Sequence, residues 1–444
     1  MNGKGMLQSH FLIGAATSGS GKTTLTLGLL RALARRGKSV QSFKCGPDYI
    51  DTWHHRMATG KPSVNLDSFM MSESHIRTVY RRYASRSDIA VTEGVMGLFD
   101  GYSGMRGSSA EIADWLHIPV LLVINARSTA YSVAPLLYGF KHFHPQLNIV
   151  GAVFNFVSSE SHYAFLKQAC ADAGVEPLGY LPKADAISIP SRHLGLSIDP
   201  DSGFDQLADR IADWVEGSVD INRLLELTSV SLPEIPADNP GEQGKMRIAV
   251  AHDEAFNFCY AENIALLRQW GRVTFFSPLH DAVLPEADFV YFPGGYPELY
   301  AQELADNSSM RISVHEYVEQ GGRMLAECGG MMYLCRSLTD KEGVAYPMVG
   351  VLPQEATMEN MKLRLGYRLL RVGNYRLLGH EFHYSSVKHA DASLTSCAEA
   401  RNARDTKADV PLYHYKNLLA GYTHLYWADP ASNTWFLDFL SGKW

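Results

Sequence analysis

Apolar residues recur along this chain in two rhythms. Short, nearly continuous apolar runs alternate with longer stretches in which apolar positions return every three or four residues. The first rhythm fits strands covered on both faces, and the second fits helices with one buried stripe. Phe11–Ala16 reads as a strand, and Leu25–Arg36 as the helix after it. SVQSFKC (39–45), DIAVTEG (88–94), IPVLLVINA (118–126) and IVGAVFNFV (149–157) are further strand candidates, each followed by polar or glycine-containing turns. This alternation predicts an α/β fold with a parallel sheet and helices on both of its faces.

The pattern breaks at SLPEIPADNPGEQGK (231–245), which is rich in Pro, Gly, Asp and Glu and reads as a linker. Alternation then restarts. MRIAVAHD (246–253), RVTFFSP (272–278) and ADFVYFPGG (287–295) are strand-like, 263–270 is helical, and GGRMLAECGG (321–330) is a strand entering a sharp turn. The expected organisation is one α/β domain over 1–230, a linker over 231–245 and a second α/β domain over 246–444. No internal repeat of fixed period and no low-complexity tract interrupts it.

Composition narrows the class. The 444 residues are too many for one ordinary domain, and 46% hydrophobic with 20% charged residues is ordinary for a globular protein. A net charge of -7 gives no electrostatic support to a general nucleic-acid or membrane-surface role. The longest apolar run, around Ile118–Ala126, is too short to span a bilayer, and no secretory signal is evident. Six cysteines lie scattered without CxxC spacing, which argues against a zinc site or disulfide framework and fits a reducing cytoplasm.

Candidate chemistry begins at Ala16–Thr23. This window fits the phosphate-loop pattern GxxxxGK[ST], except that Ala16 replaces the first glycine. Gly19 and Gly21 let backbone N–H groups turn toward phosphate oxygens, with Ser20 and Thr24 beside them. Lys22 supplies charge for the terminal phosphates, and the Thr23 hydroxyl can bind Mg²⁺. Two acidic stretches follow strands: KCGPDYID carries Lys44, Asp48 and Asp51, and TEGVMGLFDG carries Glu93 and Asp100. Carboxyl ends of parallel strands are where ligands bind in such sheets.

The second domain offers Cys328 between an apolar strand and an apolar-periodic helix, followed at once by Gly329 and Gly330. A nucleophile on such an elbow is expected at a helix N-terminus, with a lowered thiol pKa and amide donors for an oxyanion. Gly294 and Gly295 offer a second source of N–H groups. His380, His383, His414 and His424 are candidate bases, and their spacing does not choose among them.

The three motifs TSGSGKTT, KCGPDYID and TEGVMGLFDG resemble the cobyrinic acid a,c-diamide synthase family, whose N-terminal domain is similar to dethiobiotin synthetase. The region from about 246 resembles a class I glutamine amidotransferase of that type. The resemblance implies ATP-dependent activation of a carboxylate as an acyl phosphate, with ammonia drawn from glutamine. ATP would be cosubstrate and Mg²⁺ the cofactor. It would be held by Thr23, Asp48 and Glu93; Lys44, Asp51 and Asp100 would lie toward the substrate. Asn125, and Asn155 after it, would be nucleotide contacts. Cys328 would be the nucleophile, His424 its base, and Gly294, Gly295 and Gly329 the oxyanion donors. The substrate would be a tetrapyrrole polycarboxylate whose a and c acetates become amides, and a closed passage for ammonia between the domains is expected. Family analogy alone points to a homodimer.

Two departures stand out. Glu327 occupies the position before the nucleophile where the elbow pattern G-x-C-x-G allows a glycine nearby, and the H-x-E pair reads His424-Leu425-Tyr426, without its carboxylate. The alternatives are the same chemistry on hydrogenobyrinic acid or nickel sirohydrochlorin, a partitioning-type P-loop ATPase switch, and a catalytic first domain with a non-catalytic binding module.

Overall fold

The structure is a computed structural model that describes residues 7–182, 187, 203–231, 244–388 and 394–444. Two compact units divide the chain near residue 238. Most of the expected linker, 232–243, lies outside the described residues.

The N-terminal unit is built on a parallel sheet. Its strands stand in the order Val64–Leu66, Val40–Cys45, Ile89–Glu93, Leu7–Ala15, Val120–Asn125, Ile149–Val157 and Glu176–Pro182, and Ser229–Ser231 pairs antiparallel with Leu7–Ala15. Val40–Cys45 and Ile89–Glu93 are buried at every position, as strands covered on both faces must be. The short Val64–Leu66 edge strand lacks a long apolar run and was not anticipated. The strand order places the ends of Leu7–Ala15 and Ile89–Glu93 side by side, with Ile13 opposite Glu93. The Lys22–Arg35 helix follows the phosphate loop directly. Its leucines pack into a core shared with Ile211, Ala212 and Val215 of the Phe204–Glu216 helix.

The C-terminal unit has a six-stranded sheet in the order Gly271–Phe276, Met246–Ala251, Phe289–Phe292, Arg323–Glu327, Leu418–Gly421, Leu412–Tyr415. All neighbours are parallel except the last pair. Two smaller sheets, mostly antiparallel, fill the segment from Cys335 onward. One of them orders Lys407–Ala408, Glu399–Asn402, Arg364–Val372, Tyr375–His383 and His424–Tyr426. Its apolar face packs Leu370, Leu377 and Leu425 against Ile248, Leu325 and Trp427 in one core. Among the described residues no disulfide joins any of the six cysteines. Among the described residues no helix is long and apolar enough to cross a membrane.

Candidate active site

The phosphate loop turns on Gly19 and Gly21, whose φ angles are +75° and +98°. Gly21 is restricted twice over. A Cβ there would be strained by the backbone and would lie 2.1 Å from Asn155 Nδ2. Asn155 is buried and donates to the Ser20 carbonyl at 3.0 Å, so the Ile149–Val157 strand, two positions from Leu7–Ala15 in the sheet, anchors the loop. Ser20 Oγ donates to the Thr17 carbonyl at 2.8 Å, closing the turn from within. Lys22 is buried and its Nζ donates to the Met96 carbonyl, which ties the loop to the segment after Glu93.

Behind the loop lies a closed ionic cluster. Thr23 Oγ1 donates to Glu93 Oε1 at 2.7 Å, and Lys44 Nζ reaches the same oxygen at 2.9 Å and Asp51 Oδ2 at 2.7 Å. His55 Nε2 meets Glu93 Oε2 at 2.7 Å. Asp51 and His55 share one face of the Tyr49–Thr59 helix through their four-residue spacing. Burial alone would raise the Glu93 carboxyl, but Lys44 and then His55 hold it well below the usual carboxylate range. Burial would likewise lower Lys44, and Asp51, Glu93 and Asp48 outweigh it. Lys44→Met should therefore take the shared cation from two buried carboxylates and cost about 3–5 kcal/mol of stability. Denaturant unfolding measures this, and an unchanged midpoint would mean the cluster tolerates loss of its cation.

The remaining predicted residues of this unit separate. Asp48 caps the Tyr49–Thr59 helix, accepting from Ile50 N and Asp51 N at 3.0 and 2.9 Å. Asp100 is exposed and accepts from Gly97 N at 3.0 Å in the turn beyond Glu93. Asn125 is exposed and caps its own turn through Arg127 N, whereas Asn155 touches the loop. Thr24 is half-buried in the first turn of the helix that begins at Lys22. His55 escaped the sequence reading, although its spacing from Asp51 on one helix face was a usable signal.

In the C-terminal unit the strand Arg323–Glu327 ends on Cys328, which adopts φ 48° and ψ -109°. Such a backbone is costly for a residue with a side chain and is the geometry of a nucleophile elbow. Gly294 places the neighbours: a Cβ on it would lie 2.2 Å from His424 Cε1 and 3.2 Å from Cys328 Cβ. A Cβ on Gly329 would lie 3.0 Å from Gly295 N. The three predicted oxyanion glycines thus surround Cys328 together with His424. The Gly294 carbonyl is turned away, accepting from Asn257 N and Phe258 N at 3.0 Å each.

The expected lowering of the thiol pKa is reversed. The helix after Cys328 is only six residues long, and the thiol is buried. Burial pushes it well up, with Glu298 adding to the rise, and the Gly329 N–H opposes them only in part. Burial also lowers His424 to about 3, with a contribution from His383. Burial thus pushes both groups toward their neutral forms.

The other histidines take different places. The His380 ring stacks on His424 at 5.0 Å, and its Nδ1 meets the Tyr260 hydroxyl at 2.8 Å. His383 stacks on Tyr422 at 3.8 Å, with Nδ1 against the Ser385 carbonyl at 2.9 Å. His414 is exposed. A cavity of about 590 Å³ is lined by Arg364, Glu381, His383, Ser385, Asp409 and Tyr422, among others. Glu381 and Tyr422 both interact electrostatically with Cys328, which puts the cavity beside the nucleophile elbow. His383 Nε2 and the Tyr413 hydroxyl are buried there without hydrogen-bond partners.

A nucleotide-type loop on a parallel sheet and a cysteine elbow set among glycines and a histidine define a two-domain enzyme that couples nucleotide chemistry to amide-nitrogen transfer. Comparison with known proteins agrees. Residues 11–196 match the family described as CobQ/CobB/MinD/ParA nucleotide binding domain, and residues 247–432 match the CobB/CobQ-like glutamine amidotransferase domain. The chain is 39% identical to a cobyrinate a,c-diamide synthase of Caldanaerobacter subterraneus over 94% of each chain. It is 38% identical to that of Salmonella typhimurium, over 94% of this chain and 95% of the relative. It is also 42% identical to a hydrogenobyrinate a,c-diamide synthase of Brucella abortus, over 85% and 89%. The chain belongs to the cobyrinate a,c-diamide synthase family, the amide-forming ligases of cobalamin synthesis that use glutamine.

Proposed function

We propose that this enzyme amidates the a and c acetate carboxylates of cobyrinate, using ATP to activate each carboxylate and glutamine as the nitrogen source. The observation that carries the reading is the pairing, in one chain, of the Lys22–Thr23–Glu93 loop site with the strained Cys328 beside His424. A carboxylate is a poor electrophile because oxide is a poor leaving group. Attack of a carboxylate oxygen on the γ-phosphorus of ATP breaks the bond to ADP and gives an acyl phosphate. Ammonia then adds to the acyl carbon, and phosphate leaves. Lys22 and the amides of the Gly19–Gly21 turn stabilise charge on the transferred phosphoryl. Thr23 Oγ1 and Glu93 Oε1 are hard oxygens 2.7 Å apart, a donor set that fits Mg²⁺, with Asp48 near Lys44; bound there, the ion would neutralise phosphate charge.

In the other unit, Cys328 Sγ attacks the side-chain amide carbon of glutamine and the thiol proton passes to His424. Because burial favours the neutral form of each group, proton transfer accompanies attack. The oxyanion faces the amides around Gly295 and Gly329. His424 returns the proton to the departing nitrogen as ammonia, and water releases glutamate from the thioester. The cavity beside the elbow suits the head of glutamine, its carboxylate on Arg364 and its ammonium toward Glu381 and Asp409. Arg364→Ala should raise KM for glutamine about tenfold or more through loss of a charged hydrogen bond, while ammonium-driven amidation keeps its rate. Equal KM values would place the head elsewhere.

The 42% identity to the Brucella enzyme favours a second reading, in which the macrocycle is metal-free hydrogenobyrinate. The deciding experiment incubates the pure protein with ATP, Mg²⁺ and glutamine, offering cobyrinate, hydrogenobyrinate or nickel sirohydrochlorin, and weighs the products. A diamide formed from none of them, with ATP left intact, would overturn both readings.

A further inference from the structure

The two departures from the amidotransferase pattern meet in space. The carboxylate missing after His424 is replaced by Tyr426, and an unexpected carboxylate, Glu327, stands just before Cys328. Glu327 is buried at the end of the Arg323–Glu327 strand. Its Oε1 accepts from Leu425 N at 3.0 Å, and its Oε2 accepts from the Tyr291 hydroxyl at 2.7 Å. Leu425 immediately follows His424. One side chain therefore spans from the residue before the nucleophile to the residue after the candidate base.

The strand His424–Tyr426 needs such a tie. One edge pairs with Tyr375–His383, placing His380 opposite His424. Among the described residues the other edge has no strand partner in its sheet. There Glu327 accepts from Leu425 N, while buried Asn263 donates to the Leu425 carbonyl at 2.9 Å and accepts from Trp427 N at 3.0 Å. Two buried side chains do the work of a missing neighbour strand, and a buried amide left unpaired would be costly. The His424 ring itself is held between the Gly294 backbone and the His380 ring.

We propose that Glu327 is a positioning residue for His424, fixing its distance from Cys328 through the Leu425 backbone in place of the carboxylate that the H-x-E pattern puts on the imidazole. This rests on the assignment of His424 as the base. Burial pushes the Glu327 carboxyl up to about 8, with the Tyr291 hydroxyl and Leu425 N opposing the rise. The residue therefore serves as an acceptor whose geometry matters more than its charge.

The test measures glutamine hydrolysis and ammonium-driven amidation in Glu327→Gln, Glu327→Ala, Tyr291→Phe and His424→Ala. Glutamine's oxygen can still accept from Leu425 N while its NH₂ donates to the Tyr291 oxygen, so E327Q should retain kcat within a few-fold. E327A frees the Leu425 amide, and kcat for glutamine should fall about 10²-fold, since a displacement near 1 Å has that effect. KM and ammonium-driven amidation should stay unchanged. Y291F frees only the far oxygen and should lose less of kcat. Full activity in E327A, or equal loss in E327Q and E327A, overturns the proposal. If E327A also loses ammonium-driven amidation, Y291F decides: reduced kcat supports the tie and unchanged kcat overturns it. Retained hydrolysis in H424A would instead sink the base assignment; an inactive H424A beside a fully active E327A sinks the positioning role alone.

Discussion

Cys328→Ala should abolish amidation driven by glutamine while leaving amidation driven by ammonium salts. Loss of a covalent nucleophile that acts as one unit with its base costs about 10⁴-fold or more. The fold should not suffer. Alanine carries the same Cβ, so the φ of 48° is no more strained than before, and only the buried sulfur is removed. Cys328 lies in the C-terminal unit and the Lys22–Glu93 cluster in the N-terminal one, so activation of the carboxylate should proceed. Product formation is compared with glutamine and with ammonium chloride, alongside thermal unfolding. If both activities vanish while the melting curve is unchanged, the division into an activating unit and a nitrogen-releasing unit is wrong. His424→Ala should move activity in the same direction, because a thiol whose pKa burial raises cannot ionise without a neighbouring acceptor.

What the sequence disclosed was local. The phosphate loop, the strand before it and the helix after it are contiguous, so a glycine-lysine-threonine pattern in an apolar frame suffices to place them. The elbow at Cys328 is equally local, a strand running into two glycines. The alternation of strands and helices gave both sheets' parallel cores, and the family resemblance followed from short motifs. What stayed hidden depends on distant segments meeting. Asn125 ends its strand, Asn155 stands near the end of the next, and the two look alike in sequence, yet of the pair it is Asn155 that reaches the loop. His424 is separated from Cys328 by the antiparallel strands between Cys335 and Tyr415, whose mixed burial blurs any period-two pattern. The sign of the thiol shift was missed because an elbow's helix was given weight that a six-residue helix does not have, against full burial. Glu327 carried a signal all the same: a carboxylate directly after the apolar run Met324–Ala326 needs a buried partner.

Lys22→Ala should stop amidation with either nitrogen source, the opposite signature to Cys328→Ala. Lys22 is the cation of the loop itself, buried and held by the Met96 carbonyl at the mouth of the Glu93 cluster. That bond is to a neutral carbonyl, whereas Lys44 stands between two buried carboxylates. The variant should therefore fold while losing charge stabilisation of the transferred phosphoryl, a drop of about 10³-fold or more. ADP release is measured with cobyrinate present, first with glutamine and then with ammonium chloride, on protein whose unfolding midpoint is checked. Ammonia is a good enough nucleophile to capture an acyl phosphate, but not to displace oxide from a carboxylate. Supplying it in excess therefore cannot bypass the phosphoryl step. A Lys22→Ala protein that still formed amide from ammonium at the native rate would show that the carboxylate is activated somewhere other than at this loop.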